Sequence, residues 1–312
     1  MAKRIHNPLL SRSFQRTLTA MTRTVMRAGS KAMVQALRAP KAVKPVKAAS
    51  VKKTAIKTAN KTAPLFSTQR GTGFTAGTAG GLRYRLFKPQ GVLRSERLPL
   101  IVMLHGCGQN AQTLAASTRM NQLAERERFL VLYPEQSHLS NMQGCWNWHQ
   151  TRSGKAQSEA DAIAVAIDQI CLAQAVDTMR IAVAGLSAGA GMAALLATRS
   201  PERFRAIAMH SGIAPGVAHS SATALTAMRG RRSGEPLSPR VEGAPGAHGA
   251  HLPALLVIQG SADHIVAPSN GAEAARLWAA REGAKPGPSR TVQRGKRYPA
   301  TVTTTALGAN WW

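Results

Sequence analysis

The stretch RIAVAGLSAGAGMAALLA, residues 180–197, constrains the fold more than any other part of the chain. An apolar run, Ile181 to Ala184, enters Gly185-Leu186-Ser187-Ala188-Gly189, and a series of small helix formers follows without a spacer. A strand that turns directly into a helix through G-x-S-x-G leaves its serine hydroxyl exposed on a strained turn. Only small residues let strand and helix approach so closely. The helix N-terminus also brings a positive dipole end to where negative charge would develop on a reacting group. The context therefore marks Ser187 as a candidate nucleophile.

The flanking sequence predicts a sheet able to carry such a turn. Residues 98–108, 130–136, 179–187, 204–212 and 252–263 read as strands, apolar throughout. Between them, 121–129, 158–174, 188–200 and 269–283 have helical spacing. Alternating strands and helices, with each strand apolar on both sides, imply an α/β fold: a mostly parallel, doubly wound sheet with helices on both faces. Ahead of it, Gly-punctuated residues 72–91 with the alternating run Leu82 to Leu86 read as a hairpin-like strand. Residues 215–250, rich in Gly, Pro, Ser and His, show no periodicity and are expected to form a long loop.

The N-terminal region differs in texture. Residues 1–63 hold fifteen Lys and Arg and no acid, within a chain of net charge +27. Apolar residues spaced by three and four over 1–38 predict a basic amphipathic helix, and 39–63 an Ala/Lys/Pro/Thr-rich disordered linker. Such a segment suits an anionic surface: nucleic acid, acidic lipid or a coated particle. The expected boundary is thus 1–63 for this segment and 64–312 for the enzyme-like domain. No secretory signal and no transmembrane run are seen, so a cytoplasmic location is expected, with an organelle transit peptide as the alternative.

Of three cysteines, Cys171 falls in an apolar helical pattern and is expected in the core. Cys107 and Cys145 follow strand-like runs, and pairing them is an option that sequence alone does not decide. No zinc-type spacing occurs, and neither a metal nor a cofactor is implied.

Two further motifs suit a serine nucleophile. MLHGCGQN (103–110) follows a strand, where the second oxyanion donor of such hydrolases resides. The backbone N–H groups of Cys107 and Ala188 are the expected donors, with His105 bonding backbone in the loop. In LLVIQGSADHIVAP (255–268), Asp263 ends a strand in the chain order Ser, then acid, then His.

Taken with GCWNW (144–148) and AMHSG (208–212), these motifs resemble the poly(3-hydroxybutyrate) depolymerase-like esterases, an α/β-hydrolase branch that also contains feruloyl-type esterases. The resemblance spans about residues 72–300. It implies a carboxylic ester hydrolase acting on an ester or polyester, with Ser187 as nucleophile, Asp263 as triad acid, and Cys107 and Ala188 as oxyanion donors. It also implies a histidine in a Gly-His-x-Trp-like motif beyond the acid. No such motif is present, and a truncation or frame change near residue 304 is the expectation.

Among the other histidines, His264 adjoins Asp263 and is expected to point elsewhere, whereas His210 reads as a structural member of HSG. A serine hydrolase without its base keeps only oxyanion and binding contributions, a loss on the order of 10⁶ in kcat. Weak or absent activity follows, unless another base serves. Trp146 and Trp148 are candidate substrate contacts, with loop packing as the alternative. Competing readings are a feruloyl-type esterase and a catalytically dead body that binds granules or nucleic acid.

Overall fold

A computed structural model of the chain describes residues 73–93, 95–231, 234–237, 249–294 and 298–306. The expectations for residues 1–63 lie outside them. The described part opens on a hairpin, β1 (Phe74–Ala79) and β2 (Leu82–Phe87). Its turn is Gly80-Gly81 at φ +58° and +74°, the pair of positive values that a tight two-residue turn demands. There follow β3 (Leu98–Leu104), α1 (Ala111–Thr118), α2 (Met120–Glu127), β4 (Leu130–Glu135), α3 (Lys155–Ala173), β5 (Val176–Leu186), α4 (Ala188–Arg199), β6 (Ala206–His210), α5 (Ser221–Met228), β7 (Ala254–Ile258), α6 (Ser269–Glu282), β8 (Lys285–Arg294) and β9 (Tyr298–Ala306).

Seven strands form one sheet in the order β1-β2-β4-β3-β5-β6-β7. The hairpin pairs antiparallel with β4, and β4 through β7 are parallel. Each face buries its own apolar cluster. On one, Leu114 of α1 and Ala124 of α2 pack with Met103, Val131 and Tyr133. On the other, Ile163 and Ile167 of α3, Met192 and Leu196 of α4 and Leu277 of α6 meet Leu100, Val102, Val183 and Ile207. Period-two alternation within buried strands thus sends successive residues to opposite helical layers. Among the described residues, no helix is long and apolar enough to cross a membrane.

The structure departs from the sequence reading in five places. A helix, α5, interrupts the expected 215–250 loop, and α1 was not anticipated. Both begin with reciprocal capping, Ser220 with Thr223 and Asn110 with Thr113, in which the side chain at N3 is threonine rather than the usual Glu or Gln. Cys171 is half-buried against the core rather than enclosed. Strand β7 is not apolar-buried: as the terminal strand of the sheet it leaves Leu256 and Ile258 at 56% and 47% exposure. Among the described residues beyond α6, β8 and β9 pair with each other in a separate antiparallel ribbon rather than joining the sheet.

Candidate active site

The chain leaves β3 toward β4 on one side and leaves β5 toward β6 on the other. Connections that diverge from adjacent parallel strands open a crevice beyond their carboxyl ends, where ligands bind in open α/β sheets. The HG loop after β3 and Ser187 after β5 both sit at this point.

Ser187 has φ +55° and ψ −118°, well outside the regions ordinary residues occupy. A non-glycine residue held there costs on the order of 1–3 kcal/mol and persists only where its surroundings fix it. Three contacts fix it here. The Ser187 N–H donates to the His210 carbonyl at 2.9 Å, tying the elbow to the next strand. A Cβ at Gly185 would lie 2.2 Å from the Gly189 carbonyl oxygen. One at Gly189 would lie 2.3 Å from the Leu104 oxygen and 2.6 Å from the His105 oxygen. Both motif glycines are therefore required by close backbone approach, the first between β5 and α4 and the second between α4 and the end of β3.

The HG loop closes on the same residue. A Cβ built on Gly106 would be 3.6 Å from Ser187 Cβ. His105 is 1% exposed and holds the loop shut, with Nδ1 donating to the Gly106 carbonyl at 2.9 Å and Nε2 accepting the Gln136 N–H at 3.1 Å. Both ring nitrogens are thereby spent in the neutral form, and burial pushes the pKa of His105 below its ordinary value. Gln109 Oε1 accepts the Gly106 N–H. Among the described residues, the N–H groups of Cys107 and Ala188 donate to no protein acceptor. Two unspent donors on either side of a serine, one of them in the first turn of a helix, are the arrangement an oxyanion needs.

A disulfide joins Cys107 to Cys145, a pairing that the sequence left open. It anchors the HG loop to GCWNW, and the Gly108 N–H adds a bond to the Gln143 carbonyl at 2.9 Å. The motif itself is structural. Trp146 is wholly buried against His105, their ring centroids 5.5 Å apart. Asn147 is held by the Glu159 carboxylate through its backbone and side-chain amides. Trp148 lies against α4, where a Cβ on Gly191 would meet its ring at 2.9 Å. Packing, rather than contact with substrate, is therefore the observed role of Trp146 and Trp148. The Asn147–Glu159 pair was missed from sequence; a carboxylate within an apolar helical face is the signal that could have found it.

Asp263 sits in the turn after β7. The N–H groups of Ile265 and Val266 donate to one carboxylate oxygen at 2.9 Å each, and Gln259 Nε2 donates to the other at 3.1 Å. The Val266 N–H, with help from the Ser211 hydroxyl, holds its pKa below the usual carboxylate range. Ser211, at φ +50°, is a second sharp turn that sequence reasoning passed over. Among the described residues, no histidine ring is bonded to Asp263 or to Ser187 Oγ. His138 faces the Met142 carbonyl, His149 the Ser221 hydroxyl, His219 the Thr151 hydroxyl and His251 the Glu282 carboxylate. No group of acids, cysteines and histidines among the described residues is arranged to hold a metal ion.

A mostly parallel sheet with a serine elbow at its switch point and paired N–H donors beside it defines an α/β-hydrolase. Comparison with solved structures agrees: an acetyl xylan esterase from Aspergillus awamori superposes with a TM-score of 0.61 at 20% identity, over 73% of this chain and 88% of that one. The family description "Esterase PHB depolymerase" matches residues 82–281, and the chain belongs to that esterase family. A poly(3-hydroxyalkanoate) depolymerase C from Paucimonas lemoignei is 33% identical over 184 residues, 55% of this chain and 42% of the relative. A probable acetylxylan esterase A from Neosartorya fischeri is 28% identical, over 68% of this chain and 59% of the relative. A feruloyl esterase B from Thermothelomyces thermophilus is 27% identical, over 58% and 64%. The chain thus spans between 42% and 64% of the length of these curated relatives.

Proposed function

We propose that this protein hydrolyses carboxylic esters through an acyl-enzyme on Ser187. The observation that carries the reading is the elbow itself: a serine at positive φ between two unspent N–H groups, at the sheet's switch point. Ser187 Oγ attacks the ester carbonyl carbon. The carbonyl electron pair moves onto oxygen, where the Cys107 and Ala188 N–H groups receive it. Collapse breaks the bond to the alcohol, and water then releases the acid by the same route. Asp263 stands two strands away, where it would orient an imidazole and stabilise its charged form.

The substrate class proposed is a hydroxyalkanoate polyester or its oligomers, as in the name of the Paucimonas relative; a feruloyl ester is the alternative. Turnover of p-nitrophenyl butyrate, lost in Ser187→Ala, tests the nucleophile. Soluble product from poly(3-hydroxybutyrate) film, against release from acetylated xylan and methyl ferulate, tests the class. Turnover unchanged in Ser187→Ala would overturn the reading.

A second role is favoured by the fifteen positive and no negative residues of 1–63: attachment to an anionic surface such as a granule coat. Retention that does not weaken as salt rises would argue against it.

A further inference from the structure

Catalysis by Ser187 needs a base, and one described imidazole without a bonded partner belongs to the strand beside the nucleophile's. Strand β6 lies between the nucleophile strand and the acid strand, and its last residue is His210. The register sets His210 beside Leu186 on one side and Ile258 on the other. Its carbonyl already accepts the Ser187 N–H at 2.9 Å. The next residue, Ser211, donates its N–H to the Ile258 carbonyl at 2.9 Å. Backbone hydrogen bonds thus tie the nucleophile turn to the end of β6 and the end of β6 to β7, the strand that precedes Asp263. The His210 side chain is exposed at the carboxyl edge of the sheet, and its ring makes no hydrogen bond or ion pair among the described residues. Of the other described histidines only His264 is similarly uncommitted, and it lies in the turn after β7, a further strand from Ser187.

We propose that His210 is the general base for Ser187 in this chain. The inference rests on Ser187 being the nucleophile. Adjacent strands are about 4.8 Å apart, a span comparable to the length of a histidine side chain. A base that is not bonded in the free enzyme can still engage once substrate is bound. As the Oγ–carbon bond forms, the Ser187 proton passes to a His210 ring nitrogen. The resulting imidazolium gives that proton to the departing alkoxide when the ester C–O bond breaks. In the second half His210 takes a proton from water, and returns it to Ser187 Oγ as the acid leaves. Among the described residues the His210 ring is not bonded to Asp263, so the imidazole works without the partner that would fix its orientation. Loss of such a partner costs about 10⁴ in kcat.

The experiment follows p-nitrophenyl butyrate hydrolysis by the full chain and by Ser187→Ala, His210→Ala, His210→Asn and His264→Ala, each checked by circular dichroism and thermal melting. The expected result is Ser187-dependent turnover in the unmodified chain. Both His210 variants lower kcat by on the order of 10²-fold with KM nearly unchanged, while His264→Ala retains activity. Free imidazole in the assay restores turnover to His210→Ala but not to Ser187→Ala, which a purely structural role for His210 would not produce. The proposal is overturned if folded His210→Asn turns over like the unmodified chain, if imidazole rescues nothing, or if the unmodified chain shows no turnover at all. If Ser187→Ala alone leaves turnover unchanged, the nucleophile assignment fails instead.

Discussion

The two halves of the catalytic arrangement are built differently. The nucleophile half is enclosed. Gly185 and Gly189 leave no room for a methyl group, His105 is buried, and a disulfide clamps the loop that carries Cys107. The acid half is open. Asp263 stands on a turn beyond the terminal strand, beside exposed His264 and Ile265, and is held by hydrogen bonds from its own turn and Gln259. The difference teaches that an oxyanion site is a property of backbone packing and comes with the centre of the sheet. The acid–base side depends on what lies at the sheet's edge.

Substitutions that separate the halves should have unequal effects. The largest loss of turnover is expected for Gly189→Ala, whose new methyl group faces two backbone oxygens that cannot yield without parting α4 from β3. Overpacking of this kind costs about 1–3 kcal/mol or more, read as a lowered urea midpoint together with lost turnover. An unchanged midpoint would show that the elbow is looser than its contacts.

Next is Cys145→Ser. The bond closes a span of 38 residues, and removing it should cost about 2–4 kcal/mol and lower kcat more than it changes KM, since the Cys107 N–H loses its anchor. Reduced protein should behave likewise. Because cytosolic thiols are kept reduced, the redox state of this pair in cells also tests the cytoplasmic location expected from the sequence.

Acid should then distinguish the halves by pH. His105 has its folded pKa pushed below the ordinary 6.5, so the unfolded chain takes up that proton first. The stabilisation from neutral His105 is present above about pH 6.5 and is lost as pH falls toward the folded pKa. Asp263, also lowered, contributes above its ordinary 3.8 and loses that contribution only as pH falls further. Thermal midpoints measured against pH should therefore begin to fall near 6.5, and His105→Gln should flatten that first descent.

The smallest effect is expected at the open half. Asp263→Asn keeps an oxygen for the Ile265 and Val266 N–H groups, so stability should fall by no more than about 1 kcal/mol. With no imidazole on Asp263, kcat should change by less than about tenfold. A loss near 10⁴ would show that a histidine does reach it.

This asymmetry also explains what could be read from sequence. The strand–turn–helix around Ser187 was legible because apolar periodicity and glycine spacing are local and leave few alternatives. The HG loop and the placement of Asp263 after a strand were legible for the same reason. The roles of Trp146 and Trp148 were not, because a tryptophan near a strand end reads alike whether it faces substrate or lies under a helix glycine. That choice is made by Gly191, more than forty residues away in sequence. Helices α1 and α5 escaped because their caps use threonine at N3. The open β7 edge escaped because Leu255 to Ile258 reads as a buried strand whether or not anything covers it.

That edge has a consequence of its own. Among the described residues β7 offers its outer row of N–H and C=O groups, flanked by exposed Leu256 and Ile258, to whatever extended chain comes by. Another molecule's strand would serve, and the sheet could continue across molecules. Against this stands a net charge of +27, which makes every pair of copies repel. At 0.1 M salt the repulsion reaches only about 10 Å. Colloidal behaviour is thus a contest between a short-range adhesive edge and a screened like charge, and salt decides between dispersed protein and precipitate.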